Sequence, residues 1–248
     1  MDSVLEYLLR VKNEKGAGYL VLIDPDKQSV EDTAALAVRA NEAGIDAFLV
    51  GSSLLMSDHL GPIIQRIKEL SDLPVIISPG GSGHLSRFAD AVLFLSLISG
   101  RNPDFLIGEH VKAAPVIRRY GLEAIPTGYM LIECGSCTSV QFMSATLPIP
   151  RDKLDIAVAH AMAAELLGMK INYLECGSGA LLSVPDEMIS AVKAETSIPL
   201  IAGGGIVEPE TAAAKVRAGA DFIVTGNILE KAGNMTLMYE FAQAVHNP

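Results

Sequence analysis

Tryptophan is absent from this 248-residue chain, and tyrosine and phenylalanine number only 6 and 7. The apolar half of the composition is therefore mostly Ala, Val, Ile and Leu, which suits parallel strands covered by helices on both faces. Basic side chains are also scarce: 19 Lys and Arg stand against 29 Asp and Glu, a formal charge of −10. That balance argues against general nucleic-acid binding, which needs a basic surface. It leaves room for an anionic small molecule, because helix N-termini, backbone amides and a bound cation hold phosphate locally on an acidic protein. Three cysteines, an odd number, do not build a disulfide framework. Cys134 and Cys137 have C-x-x-C spacing, but no second pair and no nearby histidine pair accompanies them, so ordinary buried or half-buried thiols are expected. No run of about 18 apolar residues is present, so no membrane-spanning helix is expected. Met1-Asp2-Ser3-Val4-Leu5-Glu6 lacks a basic region followed by an apolar stretch. The expectation is a cytoplasmic protein, with a role at a membrane surface left open.

What is present is a rhythm. Short apolar runs alternate with longer helix-patterned segments. Eight strands are expected at 19–24, 46–51, 74–78, 91–97, 124–133, 171–175, 198–202 and 221–225, the number a closed (β/α)8 barrel needs. The chain length is near the roughly 250 residues typical of that fold. One domain over 1–248 is expected, since nothing resembles a linker or a low-complexity tract. Ser29 with Asp32 reads as a helix start and Gly44 as its stop. A further helix is expected over 152–167, and Pro185 and Pro209 suit first turns. Pro79-Gly80-Gly81-Ser82-Gly83-His84 is too glycine-rich for a helix, so an irregular connection is expected after the third strand. The segment 136–150 is a long connection of the kind that on compact domains is often functional.

Barrel active sites lie where the strands end. Asp24-Pro25-Asp26-Lys27 closes the first strand. The pattern is good turn chemistry, yet a carboxylate there also suits Mg2+ shared with a phosphorylated substrate. Gly51-Ser52-Ser53 closes the second, where a hydroxyl can join a metal or phosphate shell. Tyr173-Leu174-Glu175-Cys176-Gly177-Ser178-Gly179 closes the sixth, placing a carboxylate able to act as a general base before amides that approach an anion closely. Gly203-Gly204-Gly205-Ile206 and Thr225-Gly226-Asn227 close the last two, where phosphate sites of this fold are often built. His84 and His110 have no partner at metal-ligand spacing and are expected to be structural or solvated. Arg101 is a candidate for a substrate phosphate or a local carboxylate.

These residues together resemble the geranylgeranylglyceryl phosphate synthase family, which includes the heptaprenylglyceryl phosphate synthases. The resemblance covers almost the whole chain. Its most specific parts are Leu22-Ile23-Asp24-Pro25-Asp26-Lys27, Tyr173-Leu174-Glu175 with its Gly-Ser-Gly turn, the Gly203 to Ile206 stretch and Gly226-Asn227. The stretches 98–103 and 128–132 look like the geranylgeranyl branch. So does Leu22, where the heptaprenyl branch carries lysine. The resemblance implies a barrel whose third helix is replaced by irregular chain. It implies transfer of a geranylgeranyl group from its diphosphate to the sn-3 hydroxyl of sn-glycerol 1-phosphate, with diphosphate released. It implies Mg2+ at Asp24 and Ser53, and glycerol phosphate contacts from Tyr173, Leu174, Glu175, Cys176, Gly177, Ser178, Gly179, Gly204, Gly205, Gly226 and Asn227. Glu175 matches the proposed base, and a homo-oligomer is expected. The prenyl tail needs an apolar groove, for which Tyr129, Met130, Leu131 and Ile132 are candidates. Two other readings compete: a sugar-phosphate isomerase or aldolase, and a non-catalytic phosphate-binding barrel. An aldolase wants a lysine inside the barrel at a strand end. Lys27 lies beyond its strand and Lys170 precedes one.

Overall fold

The β-branched runs become eight parallel strands, hydrogen-bonded in sequence order and closed on themselves. A computed structural model describes residues 3–226 and 235–248. The strands are β1 Gly18–Ile23, β2 Ala47–Val50, β3 Val75–Ile77, β4 Ala91–Leu97, β5 Glu123–Leu131, β6 Ile171–Glu175, β7 Leu200–Gly203 and β8 Phe222–Thr225. All eight expected strands are found. The seventh starts two residues late because Pro199 has no amide to give to a ladder. The fifth stops at Leu131, where Ile132 leaves for an isolated bridge with Ile149.

Helices α1 Val4–Lys15, α2 Val30–Ala43, α3 Leu60–Leu70, α4 Glu109–Tyr120, α5 Ser139–Ser144, α6 Leu154–Leu166, α7 Asp186–Glu195, α8 Pro209–Arg217 and α9 Met235–His246 surround the strands. The α2 start read from sequence is real: the Ser29 hydroxyl oxygen accepts from the Asp32 amide at 3.0 Å, and Gly44 caps the other end in the left-handed region. The helices α1 and α5 are additions that the reading above did not contain.

Side-chain alternation along the strands divides the core in two. On β1, Tyr19, Val21 and Ile23 face the helices, while Leu20 and Leu22 face the barrel axis. The axis is filled by Leu20, Leu49, Ile76, Leu93, Ile125, Ile171, Ile201 and Phe222, so it is a packed interior. Helix α1 closes its lower end with Leu8, and the Glu123 carboxylate accepts the α1 amides of Val4 and Leu5 at 2.5 and 3.0 Å. Around that end, three carboxylates just before strands repeat one device. Asp46 accepts from the Tyr19 amide and pairs with Lys15 and His246. Asp90 accepts from the Val75 amide and pairs with Lys68, and Asp221 accepts from the Leu200 amide and pairs with Lys193 and Lys12.

One member of the outer ring is missing. No helix lies between β3 and β4; residues 78–90 run as irregular chain, as the glycine-rich stretch predicts. Local bonds hold it: His84 Nδ1 accepts from the Gly80 amide at 3.0 Å, and Glu109 at the start of α4 accepts from the Ser82 amide at 2.6 Å. The Lys112 ammonium at 2.6 Å, with the Ser82 donors, holds the Glu109 carboxyl down at about 2. A single π-helical turn, Asp104–Gly108, leads into α4 and carries Phe105.

Candidate active site

The ends of β1, β2, β6, β7 and β8 meet at the upper mouth of the barrel, where two adjoining cavities open. The larger has a volume of about 280 Å³. It begins between Asp24, Ser53 and Glu175 and passes the end of β3 over Gly80 and Gly81. It then descends where the missing helix would sit, between Val92 and Phe94 of β4, Leu85, and Ala113 and Ile117 of α4. Glu109 to Ile117 alone spans about 12 Å of helix. The smaller, about 80 Å³, is lined by Gly177, Ser178, Gly179, Gly204, Gly205 and Gly226. Glu175 lines both.

Strand alternation decides which residues of the sixth strand can act. Tyr173 and Glu175 point to the barrel axis and mouth. Leu174 and Cys176 point the other way, fully buried against the helices, and line neither cavity. Their side chains are therefore not among the groups the mouth presents, although the sequence stretch named them together with their neighbours. The Glu175 carboxyl is raised above its ordinary value by burial, against the opposing pull of the Tyr173 hydroxyl and the Gly177 amide, which donates at 2.7 Å. Burial also pushes Tyr173 and Tyr129 well above the ordinary phenol range, so both hydroxyls stay protonated. Their rings meet edge to face at 5.2 Å.

Glycine is required where the chain passes behind this carboxylate. A Cβ on Gly203 would lie 2.3 Å from Glu175 Oε2, and one on Gly204, at φ +78°, would lie 2.5 Å from Oε1. The Gly177 amide serves Glu175 and is not available to an anion. The Gly204 and Gly205 amides make no bond with the rest of the described chain. Gly226 lines both cavities, and Asn227 lies outside the described residues.

Across the mouth, Asp24 is mostly buried, with Lys27 Nζ at 3.2 Å and the Ser52 hydroxyl at 3.3 Å from Oδ2. Asp26 turns away, accepting from the Met56 and Ser57 amides and the Ser57 hydroxyl. Lys27 does reach the larger cavity, contrary to its position past the strand, but as the ion partner of Asp24. Lys170 stands at the opposite end, its amide bonded to the Pro126 carbonyl just before β6. Among the described residues no group of three or more His, Cys, Asp and Glu converges as a metal site. The donors present are one carboxylate, Asp24, with Ser52 and Ser53 beside it. That set fits Mg2+ completed by waters and substrate phosphate oxygens, its usual mode of binding.

Several other residues take structural roles. Arg101 is exposed and lines neither cavity, and its Nη1 donates to the Gly100 carbonyl at 2.7 Å. Asn102 in the same stretch donates to the Ser144 carbonyl at 2.9 Å, fastening α5 over the larger cavity, where Val140 and Met143 form part of its wall. The groove candidates divide: Tyr129 lines the cavity, whereas Met130, Leu131 and Ile132 are buried in the core. His110, expected to be structural or solvated, forms part of the groove wall, its Nε2 at 3.1 Å from the Ser96 hydroxyl. The three cysteines are free thiols, Cys134 and Cys176 buried and Cys137 exposed. The groove along β4 and α4 escaped the sequence reading because its residues, Val92, Phe94, Ala113 and Ile117, have the same spacing as an ordinary core face.

The fold and mouth together define a class: a (β/α)8 barrel that joins a glycine-lined cradle to a long apolar groove across one buried carboxylate. Within that class the chain belongs to the PcrB family, which its residues 9–245 match. It is 48% identical over 228 residues to the geranylgeranylglyceryl phosphate synthase of Chitinophaga pinensis, covering 92% of this chain and 90% of that one. It is 45% identical over 232 residues to the enzyme of the same name from Thermococcus kodakarensis, covering 93% and 91%. Its fold matches the crystal structure of (S)-3-O-geranylgeranylglyceryl phosphate synthase from Thermoplasma acidophilum in complex with its substrate sn-glycerol-1-phosphate. The TM-score is 0.95, at 36% identity over all of both chains.

Proposed function

We propose that this chain is a geranylgeranylglyceryl phosphate synthase, transferring a geranylgeranyl group from its diphosphate to the sn-3 hydroxyl of sn-glycerol 1-phosphate. One observation carries the reading: Glu175 lies at the junction of a small glycine-lined cradle and a long apolar groove. The two cavities suit the two substrates. The cradle takes the phosphate on the Gly204 and Gly205 amides and near Gly226, and so presents one hydroxyl and not another. The groove takes the tail; each buried CH2 contributes about 0.8 kcal/mol. Glu175 accepts the proton of the hydroxyl as its oxygen bonds to the allylic carbon and diphosphate leaves. Tyr173 orients that carboxylate through its hydroxyl, and the apolar wall excludes water from the reacting carbon.

Asp24, with Ser53, would hold Mg2+, which when bound supplies positive charge for the leaving diphosphate. The aldolase reading lacks its lysine, since Lys27 is ion-paired to Asp24 and Lys170 is at the far end. We place the enzyme in the cytoplasm as a homo-oligomer. The test is incubation with Mg2+, sn-glycerol 1-phosphate and prenyl diphosphates of several lengths. Ether product is expected with the geranylgeranyl donor and only weakly with sn-glycerol 3-phosphate. No product at any length would reject the reading, and equal use of both glycerol phosphates would reject the cradle.

A further inference from the structure

In a (β/α)8 barrel each mouth loop is held between a strand and the helix that follows it. The loop after β3 has no such helix, since residues 78–90 are irregular chain, yet its Gly80 and Gly81 line the mouth together with Asp24, Ser52 and Ser53. The last ladder bond between β2 and β3 runs from the Ser78 amide to the Val50 carbonyl at 3.0 Å. Beyond it the two chains press backbone on backbone. A Cβ on Gly51 would clash with the Ser78 carbonyl oxygen, and one on Gly80 would clash with that of Ser52 and lie 2.6 Å from that of Ser53. One side chain is tied into this contact. The His84 amide donates to the Gly81 carbonyl at 3.1 Å, and this turn brings the imidazole back so that Nδ1 accepts from the Gly80 amide at 3.0 Å. A ring nitrogen that accepts carries no proton, so in the neutral ring the proton sits on Nε2. The acceptor for that N–H is the Ser52 backbone carbonyl. His84 itself is half-buried and lines neither cavity.

We propose that His84 is a positioning residue for the metal and diphosphate side of the mouth: by bridging the Gly80 amide and the Ser52 carbonyl, it sets where Ser52 and Ser53 stand against Asp24. The proposal rests on the prenyl-transfer reading, which gives Mg2+ and the leaving diphosphate to Asp24 and Ser53. The ring acts through the backbone and not on the reacting groups. Ser52 is the link, because its hydroxyl also donates to Asp24 Oδ2 at 3.3 Å. An apolar ring in place of His84 would leave the Gly80 amide and the Ser52 carbonyl without these partners, and the serine pair would be free to shift. A misplacement of roughly 1 Å is enough to weaken such a site, and outer groups that orient ligands are worth about 10- to 100-fold in affinity. The cradle lined by Gly177, Gly204, Gly205 and Gly226 lies on the other side of Glu175 and contains neither Gly80 nor Ser52 nor Ser53. Loss of His84 therefore weakens one half of the mouth and spares the other.

The experiment is calorimetric titration of the full chain, as wild type, His84→Phe and His84→Asn. The ligands are inorganic diphosphate with Mg2+ and, separately, sn-glycerol 1-phosphate. His84→Phe is expected to bind Mg2+-diphosphate about tenfold more weakly or worse, and glycerol phosphate within about twofold of wild type. His84→Asn keeps an acceptor for the Gly80 amide and lacks the donor for Ser52, so its Mg2+-diphosphate affinity should fall between the two. Hydrogen exchange of the peptide holding Gly80, measured with no ligand present, should quicken in His84→Phe and less in His84→Asn. In turnover, the Mg2+ concentration giving half the maximal rate should rise while KM for glycerol phosphate holds. Unchanged Mg2+-diphosphate affinity in His84→Phe, with faster exchange at Gly80, would make the bridge a loop staple only and overturn the proposal. Equal weakening of both ligands would overturn it too, because that marks a general loosening of the mouth. Should His84→Phe not fold, His84→Asn decides by the same two criteria. A wild type that binds glycerol phosphate but not Mg2+-diphosphate would overturn instead the assignment of Asp24 and Ser53 on which the proposal stands.

Discussion

In the proposed mechanism Glu175 is the base, and its burial has a measurable consequence. Its working form is the carboxylate, and burial raises its pKa above the ordinary 4.5. As pH falls through that raised value the base is lost, so kcat/KM should show an acid limb lying above pH 4.5. Glu175→Gln should lower kcat about 10²- to 10⁴-fold, change KM for glycerol phosphate little, and abolish that limb. A steady-state pH profile of both proteins checks this; a Gln variant with wild-type kcat removes Glu175 from the mechanism. At this scale much was legible. A carboxylate at a strand end before Gly-Ser-Gly is a local pattern, and local patterns survive in sequence. The parts that were not legible depend on direction. Sequence gives Leu174 and Cys176 the same standing as Tyr173 and Glu175, and only the inward or outward sense of β6 separates them. The use of the Gly177 amide by Glu175 was hidden for the same reason.

Among the elements, the unwound stretch between β3 and β4 sets the reach of the groove. Its loss of helix is readable from Pro79 to Gly83, but its consequence is not, because the cavity wall is completed by α4, some thirty residues on. Ala113 lines that cavity, as does Phe105. Ala113→Phe should fill the lower groove and reduce kcat/KM for a donor of about twenty carbons at least about tenfold, while a donor of about ten carbons keeps its rate. Competition between the two donors in one tube reads the ratio directly; an unchanged ratio would place the tail elsewhere. Helix α5 was missed because six residues of Ser139-Val140-Gln141-Phe142-Met143-Ser144 carry too little periodicity to be read, and its position comes from distant bonds such as Asn102 to Ser144.

The whole molecule separates stability from chemistry along the barrel axis. At the lower end Asp46 is held below its ordinary 3.8: burial opposes its ionisation, but His246, Lys15 and the Tyr19 amide outweigh it. A carboxyl depressed in the folded state contributes stability that is present above its unfolded value and lost as pH falls through the folded one. Asp46→Asn should therefore cost about 2 kcal/mol at neutral pH and flatten the loss of stability below about pH 4, as measured by urea unfolding across pH. Turnover per folded molecule should be unchanged, since nothing at that end touches the mouth. The count of strands and their order were legible because the apolar runs are short and separated by longer helix-patterned segments. The division between the two ends was legible only as positions before and after each strand.

Omitting one helix from the outer ring lets a long guest lie along the flank while the centre stays solid. Under the proposed function, lodging for the tail is thereby uncoupled from the scaffold's cohesion. Descendants of such a chain can lengthen or shorten the guest they accept by altering a few side chains on that flank, with neither the reacting groups nor the eight-stranded wall disturbed.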